Sequence, residues 1–486
     1  MTQTIDINDE RAIRLNKLEE LRSQGVDTYP ALTDEHISLA QALTAEIDAP
    51  LSVVGRIMLK RDMGKITFCQ LQDASGKMQI VLEKETVGEE KYKTFLKFID
   101  GGDIIQVAGK KFLTKKQEPS DLVNTWTLLS KALLPLPDKF HGLQDEEVRL
   151  RKRYLEMIMD PELRQLFVRR SRFWKTTREF LLNQGFLEVE TPVLETTAGG
   201  ADATPFQTHH NALDLDLYLR ISMGELWQKR LMVAGFEKTF EIGRQFRNEG
   251  LSREHLQDYS QMEFYWAFAD YQKGMTLVES LYKEIVKQTY GRTKFEINNF
   301  TDIEFDQPWP RIDYVETIKE MTGLDVLKAS DRELIEKLKE LKIDFEAKQG
   351  RGRLVDSLWK HCRHQIKGPC FLVHVPVAVS PLAKRLPEQP ELTQRFQVII
   401  AGSELGNGYS ELNDPLDQAE RFREQARLRA AGDTEAQMND TEFVEALEYG
   451  MPPTCGFGFS ERLFSFLENR PIKECQLFPL VKPKQN

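Results

Sequence analysis

The sequence predicts an α+β protein in two parts: a small five-stranded β-barrel, then a larger domain in which helices flank an antiparallel sheet. Three observations carry this. Five short strand-like runs crowd into residues 51–131. The chain beyond them mixes strands and helices with no regular β-α-β alternation, which points away from a parallel sheet. At 486 residues, 41% of them hydrophobic, the chain is too long for one typical domain and has material for a large core.

Residues 1–48 form an N-terminal helical segment. Leu15, Leu18 and Leu21 recur three apart in a charged stretch, and Gly25 supplies a C-cap. Residues 49–134 are the barrel. Its runs are "LSVVGRIMLK", "KITFCQLQD", "KMQIVLE", "DIIQVAGKKF" and "NTWTLLSKAL", separated by turn chemistry such as Asp73-Ala74-Ser75-Gly76. Five strands with one helical interruption near Tyr92–Phe98 match the size and order of an OB-type barrel. Residues 135–160 read as a Pro-containing, charged linker. The large domain, 161–486, opens with a helix from about Glu162 to Asn183 and a strand in "FLEVETPVL". Residues 270–370 read as a helical insertion or flank.

Net charge is −10, from 66 Lys and Arg against 76 Asp and Glu, which excludes a uniformly basic nucleic-acid binder. Residues 51–131 nonetheless carry 14 basic against 10 acidic side chains, a balance that suits a polyanion touching only part of the protein. Five cysteines without a CxxC pair suit a reducing compartment, and no run reaches the length of a membrane span, so a cytoplasmic protein is expected. There is no GxxxxGK[ST] loop and no GxGxxG fingerprint, so any nucleotide site is built another way.

Three constellations carry chemistry. In "FRNEGLSREHLQDYSQMEFYWAF", two apolar strands flank a long loop. Arg247 at its mouth reads either as a phosphate ligand or as a salt-bridge partner of Glu249, and Glu263 as a cleft or solvent carboxylate. In "AGSELGNGYSELNDPLDQ", Glu404 and Glu411 flank glycines that let backbone approach a ligand, and the carboxylates suit Mg²⁺ or a cationic substrate. In "GFGFSERL", Arg462 opens a helix, where an arginine makes sense if an anion lies nearby. "HCRH", His361–His364, lacks the spacing of a zinc site and reads as a basic helix face, and His209-His210 read as a turn.

In order and spacing these runs resemble motifs 1, 2 and 3 of the class II aminoacyl-tRNA synthetases. Motif 1 is the helix plus "GFLEVETPVL", motif 2 "FRNEG" through "MEFYWAF", and motif 3 "GFGFSERL". "THHNALDLDLYLRI", "AVSPLAKR" and "GNGYSELNDPLDQ" bring the resemblance closest to the lysyl-tRNA synthetase family. The resemblance implies ATP-dependent ligation of L-lysine to tRNA(Lys) through lysyl-adenylate, with ATP and Mg²⁺ as cofactors and a homodimer as the assembly. It implies ATP contacts at Arg247, Glu249, His255, Tyr259, Glu404 and Arg462, with Arg247 and Arg462 as the catalytic pair. Lysine contacts fall on Glu225, Glu263, Tyr265, Asn407 and Glu411, anticodon contacts on Arg56, Phe68 and Gln79, and a metal contact on Glu404. The chain departs from the family pattern at Leu256 in the motif 2 loop, in a motif 3 one residue short, in "RISMGEL" one residue longer, and at Gln397, where a second metal-binding glutamate is expected. The alternatives are an aspartyl- or asparaginyl-type enzyme, or a synthetase-derived protein that is non-catalytic or lysylates a protein.

Overall fold

A computed structural model describes residues 7–137, 145–201, 203–345, 350–430 and 438–483. They divide into two compact units, Met1–Arg149 and Leu150–Asn486.

In the first unit the strands Pro50–Asp62, Ile66–Gln72, Lys77–Glu83, Pro119–Ser130 and Ile104–Leu113 pair in that spatial order and close into a barrel. Alternation decides which side chains fill it: Thr67, Cys69 and Leu71 point in, and Met78 and Ile80 meet them from the next strand. The helix Glu89–Phe98 lays Tyr92, Phe95 and Phe98 against this core. The fifth strand begins at Pro119, earlier than its apolar run suggests, because its first residues pair with both flanking strands. There Asp121 is fully buried and neither carboxylate oxygen has a donor among the described residues. Burial pushes its pKa up to about 7. Its side chain leans over Gly109 on the neighbouring strand, where a Cβ would lie 2.3 Å from Asp121 Oδ1.

The second unit is built on an eight-stranded sheet. Its order is Arg311–Asp313, Cys370–Val373, Arg395–Ile400, Ser403–Ser410, Thr454–Ser460, Asp258–Ala267, Lys238–Phe246 and Leu187–Glu188. The six central strands are mutually antiparallel, as expected, and each outermost strand pairs parallel with its neighbour. The helices Pro161–Asn183 and Tyr271–Tyr290 bury Phe173, Val278, Leu281, Tyr282 and Ile285 with the sheet residues Phe240, Phe264, Phe396 and Phe457, leaving the opposite face of the central strands for the site.

Several expectations are corrected. "FLEVETPVL" forms only the two-residue strands Leu187–Glu188 and Leu194–Glu195, because Thr191 is drawn off the ladder by Glu241 and Pro192 cannot donate to it. Residues 270–370 are not merely an insertion: Tyr271–Tyr290 is a core helix, and Arg311–Asp313 and Cys370–Val373 complete one edge of the sheet. Within the expected linker, residues 146–159 are two short helices, Glu146–Arg151 and Arg153–Met159. His209-His210 lie in the exposed strand Gln207–His210 rather than in a turn.

Candidate active site

The strands Asp258–Ala267, Ser403–Ser410 and Thr454–Ser460 floor a cavity of about 490 Å³, with Arg247 reaching it from just past the end of Lys238–Phe246. All eleven residues expected to contact ATP or lysine line it: Arg247, Glu249, His255, Tyr259, Glu404, Arg462, Glu225, Glu263, Tyr265, Asn407 and Glu411.

Register explains one end. Gly456 pairs with Tyr265 on one side and Tyr409 on the other, while Gly458 pairs with Glu263 and Asn407. A Cβ on Gly456 would lie 2.1 Å from Glu411 Oε1, and one on Gly458 would lie 2.9 Å from Glu263 Cγ. These glycines serve neighbouring side chains: they clear space for carboxylates to lie across the strand. Glu263 is buried, not solvent-facing. Its Oε1 accepts from Ser222 Oγ at 3.1 Å, Met223 N at 2.9 Å and Gln261 Nε2 at 2.5 Å, leaving Oε2 only a 3.4 Å contact from Tyr265 Oη. Burial, together with the charge of Glu225, pushes its pKa up to about 7.

Glu225 opens the helix Glu225–Val233 and is buried beside Glu411. One turn on, fully buried Lys229 sets Nζ 3.1 Å from Glu225 Oε1 and 2.5 Å from Glu411 Oε2, the second contact an ion pair without good hydrogen-bond alignment. Tyr409 Oη also donates to Glu225 Oε1. Burial pushes Glu411 up to about 8, while Lys229 is held charged against its own burial by Glu411 and Glu225. Three carboxylates and one ammonium leave this end of the cavity with an excess of negative charge, and an incoming cation offsets it.

The other end is cationic. Arg247 stands at the end of its strand with its guanidinium 5.7 Å from the Tyr259 ring centroid and Nε 3.4 Å from Ile221 O. Among the described residues it makes no ion pair; Glu249 instead accepts from Thr204 N at 3.2 Å. Arg462 opens the six-residue helix Arg462–Leu467, and the anion beside it is a protein carboxylate: Nη2 lies 2.5 Å from Glu254 Oε2. Ser403 Oγ bridges the pair, accepting from Arg462 at 3.0 Å and donating to Glu254 at 2.8 Å. His255, in the same loop, is turned toward Ser252 Oγ, 2.8 Å from Nδ1. Asn407 Oδ1 accepts from Arg395 Nε at 2.8 Å, which leaves its amide N–H groups for a ligand.

The expected metal position does not fit a protein-anchored Mg²⁺. Both oxygens of Glu404 are engaged: Oε1 by Trp359 Nε1 at 3.0 Å and Arg363 Nη1 at 2.8 Å, Oε2 by Gln397 Nε2 at 3.0 Å. Gln397, across the ladder, presents an amide donor to Glu404 where a second carboxylate would add charge for a cation. Among the described residues no group of three His, Cys, Asp or Glu side chains could hold a metal ion. Burial works against its charge, yet Arg363 and Arg395 hold the Glu404 carboxyl below its ordinary range. The "HCRH" run is thus not merely a solvated basic face: Cys362 is in the core and Arg363 pairs with Glu404.

On the barrel, Arg56, Phe68 and Gln79 alternate with buried residues on three consecutive strands and so share its outer face, half-buried. Arg56 Nη1 donates to Gly102 O at 2.8 Å and Gln79 Nε2 to Ser120 Oγ at 2.9 Å. Gln70, not singled out from sequence, lies between them, paired with Gln79 across the ladder.

Sequence reasoning also missed Lys229, Glu254, Arg363 and Arg395. Lys229 had a local signal, the i,i+4 spacing from Glu225; Glu254 sits beside His255 in the loop already singled out but without a pattern of its own, and Arg363 and Arg395 reach the site from other elements.

An antiparallel sheet with a carboxylate-rich and an arginine-rich end, preceded in sequence by a small barrel, defines a class of enzyme, and comparison agrees. The family model for class II tRNA synthetases (D, K and N) matches residues 145–482, and that for the OB-fold nucleic acid binding domain matches residues 51–129. The chain belongs to the class II tRNA synthetases of this group. It is 44% identical over 484 residues to the lysine–tRNA ligase of Thermotoga sp. (strain RQ2), with 97% of this chain and 96% of that protein covered. It is 43% identical to the lysine–tRNA ligases of Carboxydothermus hydrogenoformans, with 99% of each chain covered, and of Magnetococcus marinus, with 98% of this chain and 97% of that one covered.

Proposed function

We propose that this chain ligates L-lysine to tRNA(Lys) with ATP. The observation that carries the reading is the polarity of the cavity: Glu225, Glu263 and Glu411 at one end, Arg247 and Arg462 at the other. Gly456 and Gly458, two residues or about 7 Å apart along their strand, carry Glu411 and Glu263 over them, and that separation suits the two ammonium groups of an extended lysine. Glu225 and Glu411 receive the ε-ammonium, Glu263 the α-ammonium, with Tyr265 and Asn407 beside them. The strand then leads toward Arg462, so the amino acid's carboxylate faces the phosphates. An aspartyl- or asparaginyl-type enzyme would need donors where these carboxylates stand.

In the first step a lysine carboxylate oxygen bonds to the α-phosphorus of ATP. The bond from that phosphorus to the bridging oxygen breaks, and pyrophosphate leaves with its electron pair. Arg247 offsets charge on the α-phosphate, and Arg462 on the outer phosphates once it exchanges Glu254 for them. Glu249, His255 and Tyr259 line the nucleotide side. No protein nucleophile is required; orientation and charge supply the acceleration. In the second step a terminal ribose hydroxyl of tRNA attacks the acyl carbon, AMP leaves, and the hydroxyl proton is lost. ATP brings its own counter-ions; Mg²⁺ bound by the protein is no part of this scheme.

Arg56, Phe68 and Gln79 are proposed to read the anticodon, Phe68 by base stacking at about 1–3 kcal/mol per base. Exposed Val168 and Leu182 on the helix Pro161–Asn183, with Leu187, Val193 and Leu194 beyond it, support a homodimer through that face. No helix among the described residues is long and apolar enough to cross a membrane, and five buried free thiols agree with a cytoplasmic setting.

Lysine-dependent ATP–pyrophosphate exchange followed by tRNA charging tests the reading. Glu411→Gln should raise the KM for lysine roughly a hundredfold, as for one partner lost from a buried charge pair, and move that for ATP little. Exchange with aspartate and not lysine, or equal effects on both KM values, would refute it.

A further inference from the structure

We propose that Lys229 is a positioning and specificity-determining residue: its ammonium, sealed behind Glu225 and Glu411, grips one oxygen of each and turns the other toward the cavity as the receptor for the substrate's ammonium. This rests on the lysine reading above and concerns a residue that does not itself meet the substrate.

The geometry separates back from front. Glu225 and Glu411 line the cavity, whereas Lys229 does not and has no solvent exposure. Its Nζ takes Glu225 Oε1 and Glu411 Oε2, and Tyr409 Oη adds to the same Glu225 oxygen. Glu411 Oε1 instead lies over the bare Cα of Gly456, on the side of Tyr265, so that a Cβ there would collide with both. Among the described residues, no side chain donates to Glu411 Oε1 or Glu225 Oε2. The rings of Tyr409 and Phe443 flank the ammonium, 5.6 and 5.7 Å from Nζ to centroid. Lys229 is therefore enclosed by two aromatic rings and two carboxylates.

Charge counting gives the consequence. With Glu263, the pocket holds three carboxylates and one resident ammonium, a formal charge of −2 that the two ammonium groups of a diamino acid match. A monoamino acid leaves one buried negative charge unpaired, which is costly. Without Lys229 the formal charge would be −3, and the carboxylates would take up a proton rather than crowd as three anions. The other groups facing this cluster are Tyr265, Tyr409 and the buried thiol of Cys455; Asp440, capping the next helix, is paired with Arg230. The one further cation that reaches this cluster electrostatically, Arg395, is engaged by Asn407 Oδ1, Val379 O and Ser380 Oγ, so that Lys229 alone is paired with Glu225 and Glu411.

The test is pyrophosphate exchange by the full-length protein and its Lys229→Met and Lys229→Arg variants, with KM for lysine and for ATP measured from about pH 6.5 to 9.5. For Lys229→Met the KM for lysine should rise about tenfold or more near pH 7, and the defect should shrink only toward the alkaline end of that range, because the carboxylates ionise later without the ammonium than beside it. Its KM for ATP should stay within about twofold, and Lys229→Arg should restore part of the lysine affinity and shift the profile back. A KM defect of the same size at every pH, a loss of kcat with both KM values, or no defect would overturn the inference while leaving the substrate reading intact. Absence of lysine-dependent exchange in the unmodified protein would overturn the substrate reading itself. Circular dichroism on each variant separates a folding failure from these outcomes, and in that case the arginine variant alone decides.

Discussion

Lysine binding to the unmodified protein should release protons. In the free pocket burial pushes Glu263 to about 7 and Glu411 to about 8. Near pH 7 both carboxyls are therefore held partly protonated, and an ammonium against each favours the ionised form. Binding near pH 7 should thus expel on the order of one proton per lysine, a release that fades as pH rises through about 8. The sign follows from linkage: the free-pocket pKa values lie above those of the complex, so affinity strengthens as pH rises through about 7 and 8 and levels off above. From about pH 9 to 6 the affinity should fall on the order of a hundredfold, Glu263 and Glu411 titrating as a coupled pair. Isothermal calorimetry in two buffers of different ionisation enthalpy reads the proton count directly. Identical heats in both buffers near pH 7, or proton uptake, would refute the picture of carboxylates held neutral until a cation arrives.

The remaining expectations concern other residues. Glu254→Gln removes the carboxylate that ATP must displace from Arg462; for a half-exposed pair of this kind about 1 kcal/mol is at stake, so the KM for ATP should fall about fivefold with lysine affinity unchanged, and a rise would contradict the exchange of Glu254 for phosphate. Asp121 is raised from its ordinary 3.8 to about 7, so its contribution opposes folding increasingly as pH rises from about 4 to 7 and fully above; Asp121→Asn should stabilise the barrel by up to about 4 kcal/mol near pH 8 and by almost nothing near pH 4. Urea unfolding of both proteins across that range checks this, and a difference that does not change with pH would exclude the buried acid as its source.

What local pattern could disclose and what it could not differ in kind. The strand alternation in "KITFCQLQD" and the spacing of apolar residues along Pro161–Asn183 are properties of neighbours in sequence, so the barrel and the first catalytic helix were legible. Motif resemblance gathered eleven residues that do share one cavity, across more than 230 positions of chain. Ion pairs across the sheet were illegible because they depend on register and on which elements close over it. Glu254 and Arg462 lie 208 residues apart, and nothing near either marks the other. Gly456 and Gly458 show the same limit from the other side. Their type was visible, yet its reason, a carboxylate from a neighbouring segment lying over each Cα, appears only when the strands are paired.

That overlay makes the amino-acid pocket hard to change one step at a time. Glu411 occupies the space a side chain at 456 would need, and the buried Lys229 behind it depends on Glu411 and Glu225 as partners. Replace Glu411 by an apolar residue and a buried ammonium loses a partner; replace Lys229 first and the carboxylates hold protons that lysine must expel; fill Gly456 first and Glu411 has nowhere to lie. Each single substitution is worse than both the starting pocket and a coordinated replacement of all three. A library that varies one position at a time would therefore find a fitness valley on every side, whereas one that varies residues 229, 411 and 456 together could cross to an enzyme that charges tRNA with an uncharged analogue.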